Sequence, residues 1–475
     1  MARIDSAAAA RLIDERWRGS AQPCLEAYVR IPNKSPLFDA QWQANGHMQR
    51  AARLLTEWCQ ARPLKGLSVE LLELPGRTPV LLAEIAGSAP GTVLLYGHFD
   101  KQPEFTGWHE GLDPWTPVVR DGRLYGRGGA DDGYAVFSSL LALEALQAQG
   151  LPHARCLVLI EGSEESGSID LPAYVEHLGA RLGTPDLVIC LDAECGDYEQ
   201  LWLTTSLRGT LVGTLSVELL TEGVHSGMAS GIAASTFRIL RGLLDRLENV
   251  HSGDLMLEDL YVRTPPGRIA EARAAAAVLG SQVAGKLPFV AGACAISTDP
   301  TELLLNSTWK PALTVTGAEG LPPLASAGNV LLPQVAVKLS LRLPPTLEAG
   351  RAAARVREVL EAQPPYGARV RFEGGALGGW NAEPLAPWLA AAVESGSQAC
   401  FGKGALAMGT GGSIPFIGML AVRYPGTQFL VTGVLGPGSN AHGPNEFLDL
   451  ATVRRVTGCV SHVLAAHATR SASGA

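Results

Sequence analysis

Two histidines and a set of carboxylates recur in five short motifs along the chain. His98 and Asp100 stand in GHFD, Asp131 and Asp132 in GRGGADD, Glu164 and Glu165 in EGSEESG, Asp192 and Glu194 in LDAE, and His442 in GPGSNAHGPNE. Unpaired carboxylates brought together would repel one another and be costly to bury. A divalent cation removes that cost. Imidazole and carboxylate ligands without a thiolate suit Zn, Mn or Co. Two histidines and three or more carboxylates can serve two ions if one carboxylate is shared. Such ions, about 3.5–4 Å apart, hold and activate a water for hydrolysis. Each motif has an ordinary explanation taken singly. Asp131 or Asp132 could be a helix N-cap, EGSEESG a solvated turn, and His98 a satisfied core histidine. What those explanations do not cover is that all five motifs fall at the ends of elements.

The elements that must position them read as follows. GTVLLYGHFD is a buried strand. DDGYAVFSSLLALEALQAQG is a helix with Val136, Leu140 and Leu143 on one face and Gly150 as its stop. ARCLVLIEGSEESGS and TPDLVICLDAEC are further strands running into loops. Strands that are apolar throughout and separated by helices predict an α/β sheet covered on both faces. In such sheets, ligands bind beyond the carboxyl ends of the strands.

Near Arg208 the pattern changes. GTLVGTLSVELL alternates, and ASTFRILRGLLDRLEN is a helix with Phe237, Leu240, Leu244 and Leu247 in register. An Ala-rich helix near 268–279, strands in KPALTVTGAEG, PQVAVKLSLRLPP and ARVRFEGG, and a helix in TLEAGRAAARVREVLEAQ complete an α+β unit. After the Gly-rich EGGALGGWNAEP the buried α/β style returns, with a helix in LAPWLAAAVESGSQACFG, a strand in TQFLVTGVLGPGS and a final helix. The expected organisation is therefore a catalytic α/β domain, with a mostly parallel central sheet, over 1–207 and 382–475. An inserted α+β lid and dimerisation domain takes 208–381. The tail TRSASGA is expected to be disordered.

Bulk properties bound the function. The chain has 475 residues, too many for one ordinary core. Its net charge of -8 offers no basic footprint for nucleic acid. No run of 18 apolar residues predicts a membrane span, and the start MARIDSAAAARLIDERWRGS has no apolar leader segment. Eight cysteines (24, 59, 156, 190, 195, 294, 400 and 459) are scattered without a CxxC, which argues against a disulfide framework and for a reducing cytoplasm.

As an ordered set, GHFD, GRGGADD, EGSEESGS, LDAE and NAHGPNE resemble the M20 metallopeptidases. With LYGRGGADD and GGSIPF the chain is most similar to the branch holding carnosinase, cytosolic nonspecific dipeptidase and PepV-type dipeptidases. The resemblance covers nearly the whole chain. It implies two divalent ions, Zn2+ first and Mn2+ or Co2+ as alternatives. His98 and Asp192 would bind one, Glu165 and His442 the other, and Asp131 would bridge them. Asp100 would orient the His98 imidazole. Glu164 would be the general base that takes a proton from the activated water and returns it to the leaving nitrogen.

The resemblance also implies a homodimer. EGVHSGMASG is similar to a stretch whose histidine, here His225, enters the partner's site to stabilise the oxyanion. Arg342 in LSLRLPP would grip a substrate carboxylate through its bidentate fork. Asn329 would contact substrate or oxyanion, and Gly412 and Ser413 in GTGGSIPF would hold the terminal carboxylate.

Two positions depart from the carnosinase-like pattern. Gly133 and Tyr134 stand where that branch has Lys-Gly, and Thr410 stands where it has a glutamate suited to a substrate ammonium. No G-x-S-x-G points to a serine hydrolase, and GRGGADDG is not a dinucleotide fingerprint. The expected function is metal-dependent hydrolysis of dipeptides or related small amides with a free carboxylate. The alternatives are an N-acyl amino acid amidohydrolase and a non-catalytic binding protein of the same fold.

Overall fold

The computed structural model describes residues 4–470. Its central sheet has six strands in the order Leu67–Leu72, Val80–Ile85, Ala154–Glu161, Ala89–His98, Leu187–Cys190 and Gln428–Val431. The last four run parallel, and the first two are added antiparallel at one edge. The parallel strands are apolar on both faces because both faces are covered. Val93, Leu95, Val158 and Ile160 join one core, with the N-terminal helices and the C-terminal helix Leu450–Thr469. Leu94, Tyr96, Leu157 and Leu159 join a second core on the other face, with helices Leu171–Leu178 and Pro415–Arg423. Each fully buried aliphatic side chain contributes about 1.5–3 kcal/mol, so these strands hold their ends in fixed places.

The helix predicted to show one apolar face, Ala135–Ala148, is buried from Ala135 through Leu146. Helices Ser6–Arg16 and Leu450–Thr469 pack on it in addition to the sheet. The one carboxylate this leaves inside, Glu144, is paired with Arg16 at 2.5 Å.

A second, fully antiparallel sheet has the order Ala312–Glu319, Gln334–Leu343, Gly209–Glu218, Arg369–Leu377. Its inward residues, among them Leu211, Leu215, Leu339 and Leu341, meet helices Thr236–Leu244 and Ala349–Glu361. The first of these helices is shorter than predicted, and of the predicted face Leu240, Leu244 and Leu247 pack into this core while Phe237 does not. Ile239, Leu240 and Leu243 are its buried apolar residues, whereas Phe237 is 44% exposed.

The chain enters this sheet at Gly209 and leaves it after Leu377, and a Cβ on Gly209 would stand 2.7 Å from the Leu377 carbonyl oxygen. Only glycine lets the two connecting segments pass so closely. Helices Pro266–Leu279 and Pro300–Thr308 pack elsewhere. Ala272, Ala275, Ala276 and Leu304 lie against Trp202 and Met408, from a small sheet formed by Trp380–Asn381, Trp202–Leu207 and Leu406–Thr410.

Of the tail predicted to be disordered, residues 471–475 lie outside the described residues. Thr469 instead ends the last helix, and Arg470 pairs with Asp186.

Candidate metal centre and active site

The carboxyl ends of the four parallel strands meet at one edge of the sheet, and the candidate ligands are there. His98 closes Ala89–His98, and Asp100 follows it. Ala154–Glu161 leads into a single turn, Glu164–Ser166. Asp192 lies two residues beyond Leu187–Cys190. His442 sits in the loop after Gln428–Val431, with its backbone in the left-handed region at φ 60°. Asp131 and Asp132 come from the turn that precedes the buried helix.

These residues close into one cluster. His98 Nε2 lies 3.1 Å from Asp131 Oδ1 and 3.8 Å from Asp192 Oδ1. His442 Nε2 lies 3.1 Å from Asp131 Oδ2 and 3.2 Å from Glu165 Oε2. Asp131 thus presents one oxygen to each histidine, the arrangement a shared ligand needs. Asp100 Oδ1 is 3.3 Å from His98 Nδ1, and its two oxygens accept from the backbone N–H groups of Glu164 and Glu165. It therefore fixes both the imidazole and the acidic turn. Gln102 donates to Glu165 Oε2. The Glu164 carboxyl makes no hydrogen bond among the described residues and stays partly exposed.

The electrostatics are those of a crowded cradle. Burial works to lower the His98 pKa, but Asp192, Asp100 and Asp131 overcome it and hold the ring protonated well above 6.5. His442, also opposed by burial, is raised to about 11 by Asp131 and Glu165. Burial, then the negative charges of Asp192 and Glu165, pushes the Glu164 carboxyl up. Asp192 is raised by burial and by Asp132 and Asp131. Asp131 alone is held low, because burial is outweighed by the two histidines.

Two buried carboxylate oxygens of this cluster, Asp132 Oδ1 and Glu165 Oε1, have no hydrogen-bond partner among the described residues. Buried oxygens of this kind are normally satisfied. Two groups converge within ligand distance of one another, His98 with Asp132 and Asp192, and His98 with Asp131 and Glu165. The donor set and the two unsatisfied oxygens fit two divalent cations. Asp132 stands among the candidate carboxylates of the sequence but without a role; adjacency to Asp131 does not reveal that its Oδ2 accepts from the His98 N–H while its Oδ1 faces no donor among the described residues.

The remaining expected residues form two further groups. Arg342 Nη1 lies 3.4 Å from Ser413 Oγ, which donates to the Arg208 carbonyl. The Arg208 N–H donates to the Gly412 carbonyl, and its guanidinium to Gly411 and Lys310 carbonyls. Neither arginine has a carboxylate partner among the described residues, and the Arg208 pKa is lowered to about 10 by burial and then by Arg342. Arg208 was missed because an arginine flanked by leucine and glycine carries no spacing signal.

His225 and Asn329 meet on a two-residue ribbon, Val224–His225 against Val330–Leu331, where the Ser226 N–H donates to the Asn329 carbonyl. Both are exposed, and His225 bonds only to the Gly227 N–H. Neither touches the metal cluster.

The two departures have physical reasons. A Cβ at Gly133 would lie 2.4 Å from the Tyr28 ring, so no side chain fits there. The buried ammonium of Lys101 lies over that same ring at 3.9 Å. Thr410 is buried, and its hydroxyl is 3.2 Å from that of Thr204.

Comparison with known proteins agrees with this geometry. Residues 94–466 match the family model described as peptidase family M20/M25/M40. A cysteinylglycine-S-conjugate dipeptidase of Corynebacterium striatum is 29% identical over 411 residues, which is 84% of this chain and 87% of that protein. The structure of the dipeptidase Dug1p from Saccharomyces cerevisiae superposes with a TM-score of 0.79 at 21% identity, covering 98% of this chain and 99% of that one. Human carnosine dipeptidase 1 gives 0.79 at 22%, with the same coverage. These two likenesses establish the shared fold.

Proposed function

We propose that this chain, which belongs to peptidase family M20/M25/M40, hydrolyses the amide bond of dipeptides bearing a free C-terminal carboxylate. The observation that carries this is the cluster in which Asp131 faces both His98 and His442 while two neighbouring carboxylate oxygens stay unsatisfied. His98, Asp192 and Asp131 would hold one ion, and His442, Glu165 and Asp131 the other, with Zn2+ the first choice and Mn2+ or Co2+ able to replace it. When bound, the ions supply a Lewis acid for the scissile carbonyl and acidify a water. Glu164 has the chemistry for the proton. Its carboxyl has no hydrogen-bond partner and has a raised pKa, so it can take a proton from water, hold it and deliver it to the leaving amine. Asp100 keeps the His98 ring and the Glu164–Glu165 turn in register.

Arg342, Ser413 and Gly412 are the proposed carboxylate subsite. Two guanidiniums without an acidic partner support it, since an incoming carboxylate would relieve their mutual repulsion. His225 and Asn329 are the proposed oxyanion and substrate contacts, supplied by the partner of a homodimer. The exposure of both side chains supports that, as does the single local contact of the His225 ring among the described residues. We assign 208–381 as the inserted unit that carries them. Eight free cysteines support a reducing, cytoplasmic setting, and among the described residues no helix is long and apolar enough to cross a membrane.

One observation favours a second reading. Thr410 is bonded to Thr204 and offers no charge to a substrate ammonium, which suits N-acyl amino acids. The test is parallel hydrolysis of a dipeptide panel, including cysteinylglycine S-conjugates, and the matching N-acyl amino acids, with Zn2+, Mn2+ or Co2+ added. Faster turnover of dipeptides supports the first reading, and faster turnover of N-acyl substrates the second. No turnover of either class by metal-loaded protein overturns both.

A further inference from the structure

One buried ion pair lies beneath the cluster and takes no part in the chemistry just described. Arg127 and Glu446 are 1% and 0% exposed, 319 residues apart, and joined at 2.7 Å. Glu446 accepts from the backbone N–H groups of Gly128, Ala130 and Asp131 at 3.0–3.3 Å. Its carboxylate therefore cradles the turn that ends on Asp131. Arg127 donates to the carbonyl of Gly443, the residue after His442, and to that of Pro103, in the segment that follows Asp100. Three ligand-bearing segments are thus tied to one pair of side chains.

Stability alone does not account for this pair. Burying two charges costs several kcal/mol per ion, and an apolar pair of similar volume is often neutral or better. What an apolar pair cannot do is point a carboxylate at three N–H groups of one turn while a guanidinium holds the opposite loop. That loop needs holding, because Asn440, His442 and Asn445 all have left-handed backbones, a conformation that costs non-glycine residues energy and persists only when its surroundings impose it. We infer that Arg127 and Glu446 are positioning residues, which set Asp131 and His442 at the separation that lets one carboxylate serve both ions. The inference rests on the two-ion reading given above.

The test uses the full-length protein and Zn2+. Glu446→Gln keeps the shape and loses the charge. Arg127→Met/Glu446→Leu removes both charges, and so guards against a Glu446→Gln protein that fails to fold. Zinc stoichiometry, zinc affinity by chelator competition, and the thermal shift on adding zinc are compared with the wild type. The inference expects the double variant, metal-free, to melt close to the metal-free wild type, and expects it and any folded Glu446→Gln to bind zinc about 10–100-fold more weakly, in the range of losses when a partner of a ligand is removed. Their zinc-induced thermal shift should be correspondingly smaller, and Glu446→Asp should recover part of both. Variants that bind two zinc ions with wild-type affinity would overturn the inference and leave the two-ion reading intact. A wild type that never binds two ions would overturn the two-ion reading itself.

Discussion

The edge of the central sheet and the His225–Asn329 ribbon both present polar groups, but they differ in how complete they are. At the sheet edge most groups are met from within the chain, and the oxygens left over, Asp132 Oδ1 and Glu165 Oε1, lie inside the cluster. His98 and His442 each face carboxylates, Asp100 faces an imidazole and two amides, and Glu446 holds the turn below. On the ribbon, His225 and Asn329 are exposed, and the His225 ring meets one local N–H. Strands buried on both faces hold their ends in place, whereas a separate two-residue ribbon fixes little. The contrast suits the proposal made above, in which one chain builds the metal-binding half of the chemistry and a partner would complete the recognition half.

Changes at the sheet edge should have the largest effects. Asp131→Ala removes the carboxylate that faces both histidines. Metal analysis should find fewer than two ions per chain, and activity should fall by more than about 1000-fold, the scale of losing metal activation. Two tightly bound ions in that variant would remove the bridging role. His225→Ala should leave metal content unchanged and slow turnover by about 100–1000-fold, as when an oxyanion donor is lost. Mixed with inactive Glu164→Gln under proven subunit exchange, it should regain activity, because a heterodimer then holds one intact site. No recovery would put His225 to work within its own chain and erase the contrast.

Arg342→Ala should act more on KM than on kcat, raising KM by about 10–100-fold for substrates with a free carboxylate, in line with loss of a charged hydrogen bond. It should matter much less for the corresponding amides. Equal effects on acids and amides would move the carboxylate subsite elsewhere.

The smallest effect is on the metal-free protein. The folded pKa values of His98 and His442 lie above the ordinary 6.5, the latter near 11. Their contribution to stability is therefore complete below about pH 6.5 and is lost as the pH rises toward 11. The melting temperature of the metal-free protein should fall over that window, and zinc should reverse the fall by binding the neutral rings with release of protons. Melting that is flat with pH would mean that the histidines do not face the carboxylates in solution.

Much of this was legible in the sequence, for a physical reason. Apolar runs that stop on His98, Glu164–Glu165 and Asp192 are buried strands delivering their ends to one edge, so the gathering of these side chains could be read from local pattern, while their proposed roles came from the family resemblance. The antiparallel strands were legible from alternation in the same way. What was not legible depends on contacts far apart in sequence. Phe237 has helical spacing from Leu240 and Leu244, but the helix buries Ile239 and Leu243 beside Leu240 and leaves Phe237 exposed. The helix after Asp132 looked one-sided, yet a helix from each end of the chain and the central sheet enclose it. Arg127 and Glu446, Arg208 and Arg342, and Thr204 and Thr410 are pairs that only the closed fold brings together.

The division of labour between the ligands and Glu164 is the centre of the account, and one variant separates them. Glu164→Gln, loaded with Zn2+ and analysed for metal and for turnover of the best dipeptide in the same sample, should hold two ions per chain with wild-type affinity. Its kcat should fall at least about 100-fold, the lower bound for loss of a general base. A metal-loaded Glu164→Gln protein that turns over at close to the wild-type rate would contradict the account.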